Sequence, residues 1–93
     1  MASLLSDTEI QKGFSQLSGW TVEGNQLRCT RKFQDFIEAI AFVNKLVEPS
    51  EAAAHHPDIE ISYNKVTVNL TTHDAGGLTE KDFALAQKIS QLN

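Results

Sequence analysis

The sequence predicts an α+β fold, a two-layer sandwich in which a four-stranded antiparallel sheet carries helices on one face. Three observations predict it. Two stretches, 20–31 and 59–70, alternate apolar with polar residues, and each is divided by a short turn, which is the pattern of a hairpin. Three other stretches repeat apolar residues at three- and four-residue spacing behind a capping signal, which is the pattern of an amphipathic helix. The order is then α-β-β-α-β-β-α, and two hairpins joined edge to edge make one sheet whose apolar face the helices cover.

Each element has its own justification. Ser6 caps the first helix, with Glu9 as its capping-box partner and Leu5 and Ile10 at the staple positions; Phe14 and Leu17 continue the stripe and Gly19 ends it. Trp20 to Glu23 and Gln26 to Arg31 are strands around Gly24-Asn25, where glycine supplies the positive φ of a tight turn. Asp35 opens the second helix, with Glu38 at the capping-box position and Phe36, Ile40, Val43 and Val47 as its apolar stripe, widened by Ala39 and Leu46. Pro49 should end or kink that helix near Glu48, because its ring clashes with the preceding turn, and Ser50 to Ala54 then resume as a short helical piece. Ile59, Ile61 and Tyr63 alternate with polar residues, as do Val66, Val68 and Leu70, with Asn64-Lys65 between them, and Tyr63 is expected in the core. Thr79 caps the last helix with Asp82 at its third position and Leu78 against Phe83 as the staple; Leu85, Ala86, Ile89 and Leu92 form its stripe.

Composition bounds the function. Ninety-three residues suit a single domain, 1–93, with one modest core. A net charge of −4 argues against a nucleic-acid partner, since the nearest thing to a basic cluster is Arg28, Arg31 and Lys32. Cys29 is the single cysteine, which forbids an internal disulfide and reads as a small buried side chain in a reducing compartment. Met1 to Asp7 carry neither a basic region nor a long apolar run, and no stretch approaches the roughly 20 apolar residues of a membrane span, so a cytoplasmic location is expected.

The chemistry is concentrated. All three histidines, His55, His56 and His73, fall within one third of the chain, beside Glu51 and Asp58. Histidine is the side chain best suited to moving protons near neutral pH. Zinc is the competing reading, but adjacent residues in extended chain face opposite ways, and no zinc-binding spacing is present, so no metal is expected. If the strand from Val66 has no bulge, Val66, Val68 and Leu70 face the helices, while Thr67, Asn69, Thr71 and His73 face away. His73 then stands at a strand end beside Gly76-Gly77, where a polar group can meet a ligand without breaking the core.

Glu51, His55-His56-Pro57, Tyr63, His73 and Asp82, spread over 32 consecutive positions, resemble the signature of the pterin-4a-carbinolamine dehydratases. Gly19-Trp20, Tyr63-Asn64-Lys65-Val66, Thr72-His73 and Gly77-Leu78 extend the resemblance over nearly the whole chain. It implies an enzyme without cofactor that removes water from a 4a-hydroxytetrahydropterin to give the quinonoid dihydropterin, in the recycling of tetrahydropterin. His55 and His73 would be the acid–base pair and His56 would hold the pterin. Trp20 and Thr72 would line or orient the pocket, Glu51 would orient a histidine, and Asp82 would serve substrate binding or cap its helix. Pro49-Ser50 and Ala52 to Ala54 depart from the family pattern, in which an unbroken helix with larger or polar residues is usual. The alternative implied by the same resemblance is a non-catalytic protein-binding or assembly role, as a dimerisation cofactor. Exposed edge strands in so small a sheet, and the habit of the family, imply a homodimer or homotetramer.

Overall fold

The computed structural model describes residues 3–92. Its elements run α1 (Asp7–Phe14), β1 (Thr21–Glu23), β2 (Gln26–Lys32), α2 (Phe36–Lys45), α3 (Val47–Ala53), β3 (Asp58–Ser62), β4 (Lys65–Leu70), a 3-10 turn (His73–Ala75) and α4 (Glu80–Ser90). The four strands form one antiparallel sheet in the order β1-β2-β4-β3, so the hairpins meet along β2 and β4, from Leu27 opposite Leu70 to Lys32 opposite Lys65. The expected α+β architecture is therefore the observed one.

The capping signals act where the sequence places them. The Ser6 hydroxyl accepts from Glu9 N–H while the Glu9 carboxylate accepts from Ser6 N–H at 2.8 Å, and the backbone bond first, then the hydroxyl, hold the Glu9 carboxyl below its ordinary value. Asp35 caps α2 through Glu38 N–H at 2.9 Å, but Glu38 reaches the backbone of Gln34 rather than of Asp35. Arg31 closes the other end of α4. Its guanidinium donates to the carbonyls of Leu92, Ile89 and Ser90 and lies 4.8 Å above the Phe42 ring. The carbonyls left over at that helix end thus meet a fixed positive charge.

Four expectations need correction. The helix break falls at Leu46, two residues ahead of Glu48, and Pro49 sits in the first turn of α3. A proline there spares the chain a broken hydrogen bond, because the first helical N–H groups have no partner anyway. The first helix ends at Phe14, before Leu17 and Gly19. On α2 the buried positions are Ala39 and Phe42, with Leu46 buried at its C-cap, whereas Phe36 and Val47, the latter now in α3, are exposed, because Phe42 takes the place beneath Arg31 and against Phe33. Tyr63 is 66% exposed, since the turn of the second hairpin is Tyr63-Asn64 and holds Tyr63 at a φ of 53°.

The core lies between the sheet and α2 and α4. Val66, Val68 and Leu70 of β4 and Leu27 of β2 are fully buried there with Leu46, Leu85 and Ile89. No bulge interrupts β4, so the predicted parity holds from Val66 to Leu70, but the strand stops there and His73, expected at its end, opens a 3-10 turn instead. The inward side chains of β3, Ile59 and Ile61, stay 37% and 42% exposed, because β3 is an edge strand that the helix layer does not fully cover.

Candidate active site

Residues 54–57 bring the first two histidines into place. Ala54 ends α3 in the left-handed conformation at φ 51° and ψ 39°, donating to the carbonyls of Glu51 and Ser50, and His55 N–H donates back to Ser50 at 3.1 Å. Pro57 then prevents any helical continuation. The reversal turns His55 inward and leaves His56 outside.

His55 Nε2 lies 2.6 Å from Asp82 Oδ1, and the imidazole is only 11% exposed while the carboxylate is 0% exposed. Asp82 is the third residue of α4 and its Oδ2 accepts from Thr79 N–H and from the Thr72 hydroxyl, each at 2.9 Å. A buried carboxylate needs such donors, since an unpaired one would be expensive to desolvate. One acid therefore completes the helix cap and also grips a histidine from a distant segment. The helix N-terminus adds its own favourable field for the negative charge.

His56 makes a second pair of a different kind. Its Nε2 lies 2.5 Å from Glu51 Oε2, with both side chains largely in solvent. The two residues border an apolar cavity of about 200 Å³ that is also lined by Val43, Leu46, Val47, Ser50, Pro57 and Ile59. The Ser50 hydroxyl is buried without a hydrogen-bond partner among the described residues.

His73 is exposed and opens the 3-10 turn that follows β4. Thr72 and Gly77 pair backbone to backbone at the base of this turn, and Gly76 takes a φ of 81°, which favours glycine. His73 borders a polar cavity of about 350 Å³ with Glu23, Asn25, Gln26, Thr71 and Gly76. The structure thus joins His55, Thr72 and Asp82 directly, joins His56 to Glu51, and sets His73 one residue beyond Thr72 on a separate cavity.

Trp20 stands apart. It is buried in the core at 3% exposure, and its indole N–H donates to Ser90 Oγ at 2.8 Å. Thr72 and Asp82 are likewise buried, so either can reach a ligand only through the groups they hold. Cys29 is buried in β2, and burial pushes its thiol above the ordinary value of 9.0, which disfavours the nucleophilic thiolate. Among the described residues no group of three or more His, Cys, Asp and Glu could hold a metal ion. Among the same residues no helix is long and apolar enough to cross a membrane. Thr79 was legible in the sequence as a cap but not as part of the site; its link to Thr72, at 2.8 Å between hydroxyls, depends on a turn that returns the chain onto itself.

Comparison with solved structures places this fold among the pterin dehydratases. The crystal structure of a transcriptional coactivator/pterin dehydratase from Brucella melitensis matches with a TM-score of 0.85 and 34% identity, over 91% of this chain and 93% of that one. A pterin dehydratase-like protein described as a RuBisCO assembly factor in the alpha-carboxysome shares the fold, with a TM-score of 0.65 and 24% identity over 78% of this chain and 87% of that one. The family model described as pterin 4 alpha carbinolamine dehydratase matches residues 3–92. A relative from Nostoc sp., named as a candidate pterin-4-alpha-carbinolamine dehydratase, is 75% identical over the full length of both chains. Another of the same name from Roseiflexus sp. is 53% identical, covering 99% of each chain. The chain belongs to the pterin 4 alpha carbinolamine dehydratase family.

Proposed function

We propose that this protein is a cytoplasmic 4a-hydroxytetrahydropterin dehydratase that needs no cofactor and serves the recycling of tetrahydropterin. The observation that carries the reading is His55, nearly enclosed and held at 2.6 Å by a carboxylate with no exposure to solvent. A histidine fixed in this way is prepared for proton transfer, because the partner sets its ring orientation.

The reaction breaks the C4a–O bond, removes the N5 proton and forms a C4a=N5 double bond. The hydroxyl is a poor leaving group until it is protonated. In our reading His55 and His73 supply that proton and collect the one from N5, so the protein is unchanged after exchange with solvent. His56, oriented by Glu51, holds the pterin at the mouth of the apolar cavity, and Thr72 and Asp82 act through His55. Family membership and the names of its relatives support a pterin substrate.

The test is to generate the carbinolamine with an aromatic amino-acid hydroxylase and follow its dehydration by ultraviolet absorbance. Wild type should accelerate the step over the uncatalysed rate, and His73→Ala should lose most of the gain while its circular dichroism is unchanged. A wild-type rate equal to the uncatalysed one would remove the enzyme reading. The second reading is a protein-binding or assembly role, favoured by the coactivator and assembly-factor descriptions of the two structural neighbours. A stable partner in a pull-down, together with no dehydration, would establish it.

We also propose a homodimer or homotetramer. Every residue of β3 is exposed, and the strand leaves one edge unpaired with Ile59 and Ile61 only half covered. A second copy that covers this edge would remove both liabilities.

A further inference from the structure

The hydrogen bonds around Asp82 have a fixed direction. Its Oδ2 accepts from Thr79 N–H and from the Thr72 hydroxyl, both at 2.9 Å. Thr72 Oγ1 also lies 2.8 Å from Thr79 Oγ1. A hydroxyl owns one proton. That of Thr72 is committed to Asp82, so the proton between the two threonines belongs to Thr79. The Thr79 oxygen in turn accepts from Lys81 N–H at 3.3 Å. The chain therefore runs one way, from Thr79 to Thr72 to Asp82, and all three side chains are buried.

The consequence reaches His55. Both donors at Oδ2 point at the carboxylate, and an ionised carboxylate can only accept. The remaining contact, between Asp82 Oδ1 and His55 Nε2 at 2.6 Å, is then an N–H donated by the imidazole. In a neutral imidazole protonated at Nε2 the lone pair resides on Nδ1. None of the hydrogen bonds among the described residues engages that nitrogen.

We propose that Thr79 is a positioning residue: its hydroxyl commits the Thr72 proton to Asp82, and through Asp82 it holds His55 with hydrogen on Nε2, leaving Nδ1 to work on the substrate. The reference to a substrate rests on the dehydratase reading, whereas the tautomer is independent of it. The competing account is that Thr79 does no more than cap α4. Both accounts make Thr79→Val less stable, because a valine cannot cap. They differ in what happens at His55, some three hydrogen bonds away.

Nuclear magnetic resonance of the full chain, labelled with nitrogen-15 in histidine, reads that difference. At the alkaline end of a pH titration wild-type His55 should show its hydrogen on Nε2 and a pyridine-type Nδ1. Thr79→Val should let the Nε2 hydrogen exchange with solvent about fivefold faster, the worth of one neutral hydrogen bond, and Thr79→Ser should restore the wild-type rate. In a Thr72→Val background Thr79→Val should add nothing to exchange, although the melting temperature still falls, because the hydroxyl chain is already cut while the cap is not. Hydrogen on Nδ1 in the wild type overturns the inference without any variant, so it stays testable even if Thr79→Val does not fold. A folded Thr79→Val with wild-type exchange and only a lower melting temperature also overturns it, leaving Thr79 as a cap. If wild type shows the Nε2 hydrogen but no dehydration, the tautomer stands and the dehydratase reading falls.

Discussion

Asp82 bears on two problems that are usually solved by different residues. Its Oδ2 closes the capping box of α4, and its Oδ1 holds His55. Asp82→Asn keeps the shape but removes the charge, and an amide with one oxygen can no longer accept from His55, Thr79 N–H and the Thr72 hydroxyl together. The variant should lose about 1–3 kcal/mol of stability in urea unfolding. It should also lose on the order of tenfold to a hundredfold in dehydration rate, within the range that a positioned acid–base group supplies. Wild-type activity in Asp82→Asn would mean that His55 does not depend on this partner. The spacing of His55 and Asp82 could be read in the sequence, and so could the cap. That the two meet could not, because it depends on how α3 is terminated. Trp20 shows the converse: the resemblance gave it to the pocket, whereas its side chain is buried in the core and bonded to Ser90.

At the scale of elements, the local signals were legible and the long-range ones were not. Ser6 with Glu9, Asp35, and Thr79 with Asp82 act as caps because capping is a contact within one turn of chain. The break between α2 and α3 was misplaced by two residues, since Pro49 forbids a bond to the turn before it rather than a helix after it. The stripe of α2 was misread because Phe42 is held by Arg31 and Phe33, which lie ahead of the helix in sequence. Ala54 offers a test at this scale. It ends α3 at a φ of 51°, where an alanine is strained and glycine is at ease. Ala54→Gly should raise stability by about 0.5–1 kcal/mol, after the greater freedom of glycine in the unfolded chain is subtracted. A shift of the urea midpoint to higher concentration, with an unchanged slope, would show it; a lower midpoint would contradict the assigned strain.

At the scale of the molecule, the joining of two hairpins into one sheet was legible, and so was the parity of β4, because its alternation is strict and no bulge disturbs it; which strands meet at the centre was not. The exposure of β3 was not, since Ile59 and Ile61 alternate as a buried strand would and only the width of the helix layer decides their fate. If that edge is covered by another copy, Ile61→Lys should turn an oligomer into a monomer in light scattering, with the circular dichroism of the subunit retained. A wild type that is monomeric at micromolar concentration would defeat the proposed assembly.

His55 is the central proton donor and acceptor of the proposed reaction, and the most direct measurement of that role is chemical rescue. Dehydration of the carbinolamine would be followed with His55→Ala in the absence and presence of free imidazole. The account predicts that the variant loses on the order of a hundredfold in rate and that imidazole restores part of it in a saturable manner. A folded His55→Ala protein with the wild-type rate would contradict it.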